Sequence, residues 1–358
     1  MAKLKSLGWS KLPPMGRLWL VWLLGVGVPA AAPAEPKLTR FEFDRVEMAV
    51  PIKILLYAND REAANRGAQT ALDRIHALNA VFSDYEPTSE LGRLGATAGG
   101  GKAVPVSDDL WRVLAQAHEF SEKSEGAFDV TIGPMIRIWR RARRLHELPS
   151  PQKIEQARQM VGYRLMRLDA QHQAVELTKP GMRLDLGGIA KGYAAQEALA
   201  VLRKLGLSRA MVHAGGDISL GDPPPDKPGW TIGITPPQSS ARPLFYLSLS
   251  RSSIATSGDT MQYTMIEGRR YSHVVDPKTG IGLTDHSSVS VVAPDGATAD
   301  ALATAVSVLG PEKGLKLVDS YPGAAAYVLR APEGKLEQFQ SSRWKDLPTV
   351  TREAATKK

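Results

Sequence analysis

Two spacings in this 358-residue chain could carry chemistry. Asp300 and Thr304 stand four apart in an apolar helical pattern, which places a carboxylate and a hydroxyl on one helix face. With backbone carbonyls nearby, such a pair makes a hard-oxygen site that suits Mg2+, a cation that keeps waters and borrows ligands from phosphates. Taken alone, the pair fits just as simply as a helix-start aspartate favoured by the dipole and a threonine bonded to a backbone carbonyl. The second spacing is Leu184-Asp185-Leu186-Gly187-Gly188-Ile189-Ala190-Lys191-Gly192-Tyr193. A glycine pair feeding a helix start leaves backbone N–H groups and the positive end of the dipole facing outward, an arrangement that suits a phosphate. Lys191 adds an ammonium one turn in; in isolation the motif is also a tight turn with a solvated lysine.

Other groups are weaker. His273 with Asp276 offers a base and an orienting carboxylate, although a solvated histidine beside a turn aspartate fits the same spacing. Ser257 and Asp259 suit either a turn cap or a phosphate contact, and His213 in an apolar strand reads as structural. Gly-x-Ser-x-Gly, Gly-x-Gly-x-x-Gly and the P-loop signature are missing, which argues against a nucleophile elbow, a Rossmann site and a P-loop. The chain has no cysteine, so disulfides, thiolate catalysis, Cys-ligated zinc and a lipidated cysteine are excluded.

The elements that must position these groups follow from periodicity. Residues 41–58 alternate like a strand, and a helix follows from about Asn59 through Phe82. Ser89, Ser107 and Ser150-Pro151 mark helix starts, the last helix running to Gly162. Residues 163–168 and 173–178 read as a hairpin, and Gly181–Leu186 as a short strand before the glycine pair. Strands are expected at 210–213, 230–235, 244–250 and 289–293, with a hairpin closing at Glu267-Gly268. A helix should begin near Thr298 and another cover 311–320. Arg137, Arg140, Arg141, Arg143 and Arg144 form a basic run that reads first as a solvated helix face, and otherwise as a patch for an anionic ligand or lipid. The pattern predicts an α+β fold, one two-lobed unit of mainly antiparallel sheets flanked by helices.

With 43% hydrophobic and 23% charged residues the composition is globular. Lys3, Lys5, Lys11 and Arg17 precede the apolar run Leu18–Val28 and the small residues up to Ala34, so residues 1–34 read as a secretory signal, or less simply as an anchor. Without it the chain holds 41 Lys+Arg against 37 Asp+Glu, a net charge of +4. That small excess, without a basic stripe interleaved with aromatics, gives nucleic-acid binding no support. The functional domain is expected over 40–345, and residues 346–358 as a polar disordered tail.

Seven stretches in order together resemble the FAD:protein FMN transferase (ApbE) family: 83–91, 126–134, 184–192, 215–218, 255–259, 272–280 and 299–304. The resemblance implies an ApbE-like fold and a Mg2+-dependent enzyme that splits FAD, attaches FMN through a phosphoester to a threonine of an acceptor protein, and releases AMP. It implies Asp300, Thr304 and the Ala190 carbonyl as metal ligands. Lys191, Ser257, Asp129, Gly215, Gly216 and Asp217 would line the FAD pocket, with Met48 and Tyr85 beside the flavin. His273 would be the base, with Asp276 nearby. The acceptor would be a periplasmic domain of a membrane redox complex, and the enzyme itself periplasmic, with association to the inner membrane the other option. Simple FAD hydrolysis to FMN and AMP, or a non-catalytic flavin-binding protein, are the alternatives. Three positions depart from the family pattern: Met48-Ala49-Val50 replaces Met-Gly-Thr, Gln196 an aspartate, and Gly95 an asparagine.

Overall fold

The first two strands pair along their whole length, β1 (Thr39–Glu47) on β2 (Val50–Ala58), through a two-residue turn. The single strand expected over 41–58 is therefore a hairpin: Met48 and Ala49 both take left-handed backbone, with φ of 51° and 59°, the geometry of a tight turn that matches strand twist. This computed structural model describes residues 38–237, 242–258 and 262–351. The 1–34 segment, Asp259 and the tail beyond Thr351 lie outside them.

Side-chain caps start most of the helices. Asp60 accepts from Ala63 N at the head of α1 (Arg61–Phe82), Ser89 from Gly92 N at α2 (Glu90–Ala96), and after β3 (Val104–Pro105) Ser107 from Leu110 N at α3 (Asp108–Lys123). α4 (Gly133–Leu145) has Pro134 in its first turn and stops at a left-handed His146; α5 (Pro151–Arg158) is capped by Ser150. α5 ends earlier than Gly162, whose φ of 149° suits glycine and no helix. β4 (Met166–Asp169) and β5 (Ala174–Leu177) form the expected hairpin, with β3 on the far side of β5. The strand predicted over 181–186 shrinks to one parallel bridge between Arg183 and Ile132, because the segment bends at Gly181 and spends its polar groups on loop contacts. α6 (Ala190–Lys204) follows directly.

The second half supplies β6 (Ala210–Ala214), β7 (Asp217–Leu220), β8 (Trp230–Ile234), β9 (Phe245–Leu249), β10 (Ser252–Gly258), β11 (Tyr263–Ile266), β12 (Arg269–Ser272) and β13 (Ser287–Ala293). α7 (Gly296–Asp319) breaks at Gly310, where φ is 73° ahead of Pro311, so the two expected helices are both present. β14 (Ala325–Arg330), β15 (Glu337–Gln340) and β16 (Thr349–Val350) complete the chain. β16 pairs with β9, which moves the ordered boundary past 346, since Thr349 and Val350 gain ladder bonds there.

Eight strands make the central sheet in the order β1-β2-β6-β7-β10-β13-β14-β15, every pair antiparallel. Alternation divides its faces. Ile52, Ile54, Val212, Val291 and Val328 pack under α1, α6 and α7, whereas Leu55, Ile254, Val292 and Leu329 meet the small sheet β16-β9-β8 with Trp230 and Trp344. A third apolar cluster holds α4 (Met135, Trp139, Ala142) against Ile266, Tyr271 and Val275 around the β11–β12 hairpin. No helix among the described residues is long and apolar enough to cross a membrane.

Candidate active site

Lys191, Asp217, Asp300 and Thr304 gather where α6 and α7 cross above the β6–β7 turn. Ala190 opens α6, and Ile189 before it offers no side-chain cap. Lys191 Nζ donates to the Gly187 carbonyl at 2.5 Å and stands 3.3 Å from Asp300 Oδ2 and 3.4 Å from Asp217 Oδ2. Gly192 N donates to the same Asp300 oxygen at 3.2 Å. A Cβ on Gly192 would lie 2.0 Å from the Gly296 carbonyl oxygen, so only glycine lets the helices approach closely enough for that bond.

Both carboxylates are almost wholly buried, each side chain 6% exposed. Burial, followed by the charge of Asp300, pushes the Asp217 carboxyl up to about 7 against the pull of Lys191. Burial also raises Asp300, eased by Lys191 and the Gly192 amide. Burial disfavours the Lys191 ammonium, but Asp300 and Asp217 outweigh it and its pKa is raised.

Thr304, one turn beyond Asp300, faces the glycine loop: a Cβ on Gly188 would come within 2.9 Å of its Oγ1. Ser257, on β10, accepts from Ser307 Oγ at 3.1 Å, and Ser307 also bonds the Ala303 carbonyl, which puts Ser257 beside the same helix. Gly215 and Gly216 make the β6–β7 turn with φ of 60° and 120°; a Cβ on Gly215 would strike Val50 at 2.8 Å. The Met48-Ala49-Val50 turn therefore leans on Gly215, next to Asp217, and Gly216 O accepts from Thr256 N at 3.2 Å.

Hard oxygens dominate this cluster, the donor type that Mg2+ takes. Asp217 Oδ2 is a buried oxygen that accepts no hydrogen bond in the described structure. No group of three or more His, Cys, Asp or Glu that could hold a metal occurs among the described residues.

Tyr85 lies on a neighbouring rim. It is 67% exposed and stacks on Arg140, whose guanidinium sits 4.1 Å from the ring centroid, pairs with Asp84, and reaches Asp185 at 2.9 Å. Asp185 Oδ1 accepts from Gly187 N at 2.9 Å, so α4 is wired to the glycine loop. Arg140 is consequently more than a solvated helix residue. A cleft of about 250 Å³ opens here between Tyr85, Gly95, Arg137, Arg140 and Arg183.

Two of the candidate carboxylates bond within their own loops. Asp129 spends Oδ1 on Thr131 N and Oγ1 and Oδ2 on Tyr163 N, so it fastens the 126–134 turn and aims no oxygen at the cleft. Asp276 accepts from Lys278 N at 2.9 Å and Thr279 Oγ1 at 3.0 Å, closing its own turn. The Gln262 carbonyl lies 3.1 Å from His273 Nδ1 and accepts from it. Nothing in the sequence signals Gln262, because a backbone carbonyl can belong to any residue. Trp139 Nε1 donates to Gly280 O at 2.7 Å and holds the 272–280 loop against α4. Gln196 Oε1 accepts from Gly296 N at the head of α7 at 2.9 Å.

The fold recurs in known proteins. Residues 48–328 match the ApbE family model. The chain is 31% identical over 283 residues to the FAD:protein FMN transferase of Haemophilus influenzae, covering 77% of this chain and 81% of that protein. It is 33% identical over 306 residues to the protein of the same name from Treponema pallidum, covering 80% and 83%. Among solved structures, the ApbE protein of Thermotoga maritima superposes with a TM-score of 0.76 at 29% identity, over 86% of this chain and 98% of that one. The apo form of the Pseudomonas stutzeri flavinyl transferase ApbE gives 0.77 at 26%, over 88% and 98%. The fold and these relatives define a transferase. The chain belongs to the ApbE family.

Proposed function

We propose that this protein is a Mg2+-dependent FAD:protein FMN transferase acting on a threonine of an acceptor protein. The observation that carries the reading is the Asp217–Lys191–Asp300 cluster at the start of α6, where buried carboxylates and one ammonium face a glycine turn. Its relatives' shared name supports FAD and a protein acceptor as the two substrates.

Asp300, Thr304 and the Ala190 carbonyl would hold the ion. Bound there, Mg2+ would supply charge neutralisation for a diphosphate. The chain's own groups do the rest. Lys191 and the α6 N-terminus draw the anionic bridge in, and Ser257 and the Gly215–Asp217 turn fix the nucleotide. Met48 and Tyr85 flank the flavin. His273 takes the proton of the acceptor threonine while the threonine oxygen bonds to the FMN phosphorus; the bond from that phosphorus to the bridging oxygen breaks and AMP leaves with that oxygen. The 1–34 segment supports action in the periplasm, and the family resemblance supports a periplasmic domain of a membrane redox complex as acceptor.

Incubation with FAD, Mg2+ and a threonine-bearing acceptor fragment tests the reading. Covalent in-gel flavin fluorescence with equimolar AMP is expected. AMP without covalent flavin would instead mean hydrolysis, and neither product would mean a flavin carrier.

A further inference from the structure

Lys191 Nζ is surrounded by three oxygens: Gly187 O at 2.5 Å, Asp300 Oδ2 at 3.3 Å and Asp217 Oδ2 at 3.4 Å. Neither carboxylate pairs with another cation among the described residues, and Asp217 Oδ2 accepts no hydrogen bond. Two nearly buried carboxylates so close together are costly without a counter-charge. An ammonium is a compact point charge on a flexible four-carbon stem, able to fill a small oxygen site and to leave it. The Lys191 side chain keeps 24% of its surface exposed, so a path toward the open side exists.

We propose that Lys191 is a resident surrogate cation, holding Asp217 and Asp300 together until a divalent ion takes Asp300, and then turning its charge to the anionic bridge of the dinucleotide. The proposal rests on the reading that Asp300 is a metal ligand. It makes the lysine a competitor of the divalent ion in the empty enzyme and a partner of the phosphate in the loaded one. Two positive charges a few ångströms apart repel, so the lysine weakens binding of the divalent ion alone. Once the dinucleotide arrives, the displaced ammonium meets an anion, so each ligand strengthens the other, reciprocally. If Lys191 were only a phosphate contact, its removal would weaken dinucleotide binding and leave affinity for the ion alone unchanged.

Mn2+ binding to the purified protein without nucleotide, read by electron paramagnetic resonance, separates these cases. Lys191→Met should bind Mn2+ at least about tenfold more tightly than the unaltered protein, whereas Lys191→Arg should not. The gain in FAD affinity on adding Mn2+ should shrink in Lys191→Met. Affinity for Mn2+ equal to or weaker than that of the unaltered protein overturns the proposal. Should Lys191→Met fail to fold with its carboxylates unpaired, Lys191→Met with Asp217→Asn removes one of them, and it must still bind Mn2+ more tightly than Asp217→Asn alone. Asp300→Ala is the control for the underlying reading. Unchanged Mn2+ affinity there defeats the metal site and this proposal together; loss of Mn2+ binding there, with no tightening in Lys191→Met, defeats this proposal alone.

Discussion

The side-chain carbonyl of Gln196 accepts a hydrogen bond from Gly296 N at 2.9 Å, so α6 caps the very helix that carries Asp300 and Thr304. The Asp295 carboxylate caps the same helix through Thr298 N at 2.8 Å. Around this junction a Cβ on Gly192 would lie 2.0 Å from Gly296 O, and one on Gly296 2.1 Å from Gly192 O. Gly192→Ala must therefore pry the helices apart, break the Gly192 N to Asp300 bond, and cost about 3 kcal/mol. Gln196→Ala, which removes a cap and no volume from the crossing, should cost about 1 kcal/mol. Chemical denaturation of both variants checks the ranking; a Gly192→Ala variant as stable as the parent would contradict the crossing.

Ala49 should be a site of easy stabilisation. It sits at φ 59° in the β1–β2 turn after Met48 at φ 51°, a conformation that suits glycine better than alanine. Ala49→Gly is expected to stabilise by about 1 kcal/mol and to raise the melting temperature. A fall in Tm would argue against a left-handed turn at this position.

Asp300→Ala is expected to abolish transfer while the fold persists, since the variant removes a buried carboxylate and leaves Lys191 paired with Asp217. Circular dichroism and covalent flavin incorporation are the readouts. Full activity would remove Asp300 from the site.

His273→Ala should slow transfer by about 10² to 10⁴-fold, the range of a lost general base, with FAD binding retained. Asp276→Asn should do far less to the chemistry, because that carboxylate serves the 276–279 turn. Single-turnover rates with an acceptor fragment compare them; equal losses would restore the aspartate to the catalytic pair.

His213 gives the fold an acid sensitivity. Its pKa is lowered, by burial and then by Lys53, and its Nε2 accepts from Gly216 N at 3.3 Å, which requires the neutral ring. Above the unfolded value near 6.5 both states are neutral and this residue adds no pH dependence. As pH falls below that value the unfolded chain takes the proton first, so stability drops until the folded pKa is passed. Urea midpoints at pH 7.5 and pH 5 should therefore differ more in the parent than in His213→Gln. Identical differences would contradict the assignment.

Much of this was legible in residue order. Ser89, Ser107 and Ser150-Pro151 announced helices that the structure contains, and the i, i+4 spacing of Asp300 and Thr304 does put them on one helix. What the sequence concealed was long-range. The turn at Met48-Ala49 lacks the glycine or asparagine that usually betrays a hairpin, so two strands read as one. Asp129 and Asp276 look like the other motif carboxylates, and only their partners, Tyr163 and Thr279, show that they brace loops. Arg140 was hidden in a basic run, though it alone there links Asp84, Tyr85 and Asp185. The Lys191 cluster joins residues 191, 217 and 300, a proximity that only the crossing of two glycines creates.

The most direct test of the account is a crystal structure with FAD and Mg2+ bound. It should show the diphosphate bridge at the start of α6, with the ion on Asp300, Thr304 and the Ala190 carbonyl. A dinucleotide docked away from Asp300, or an ion held by other residues, would contradict it.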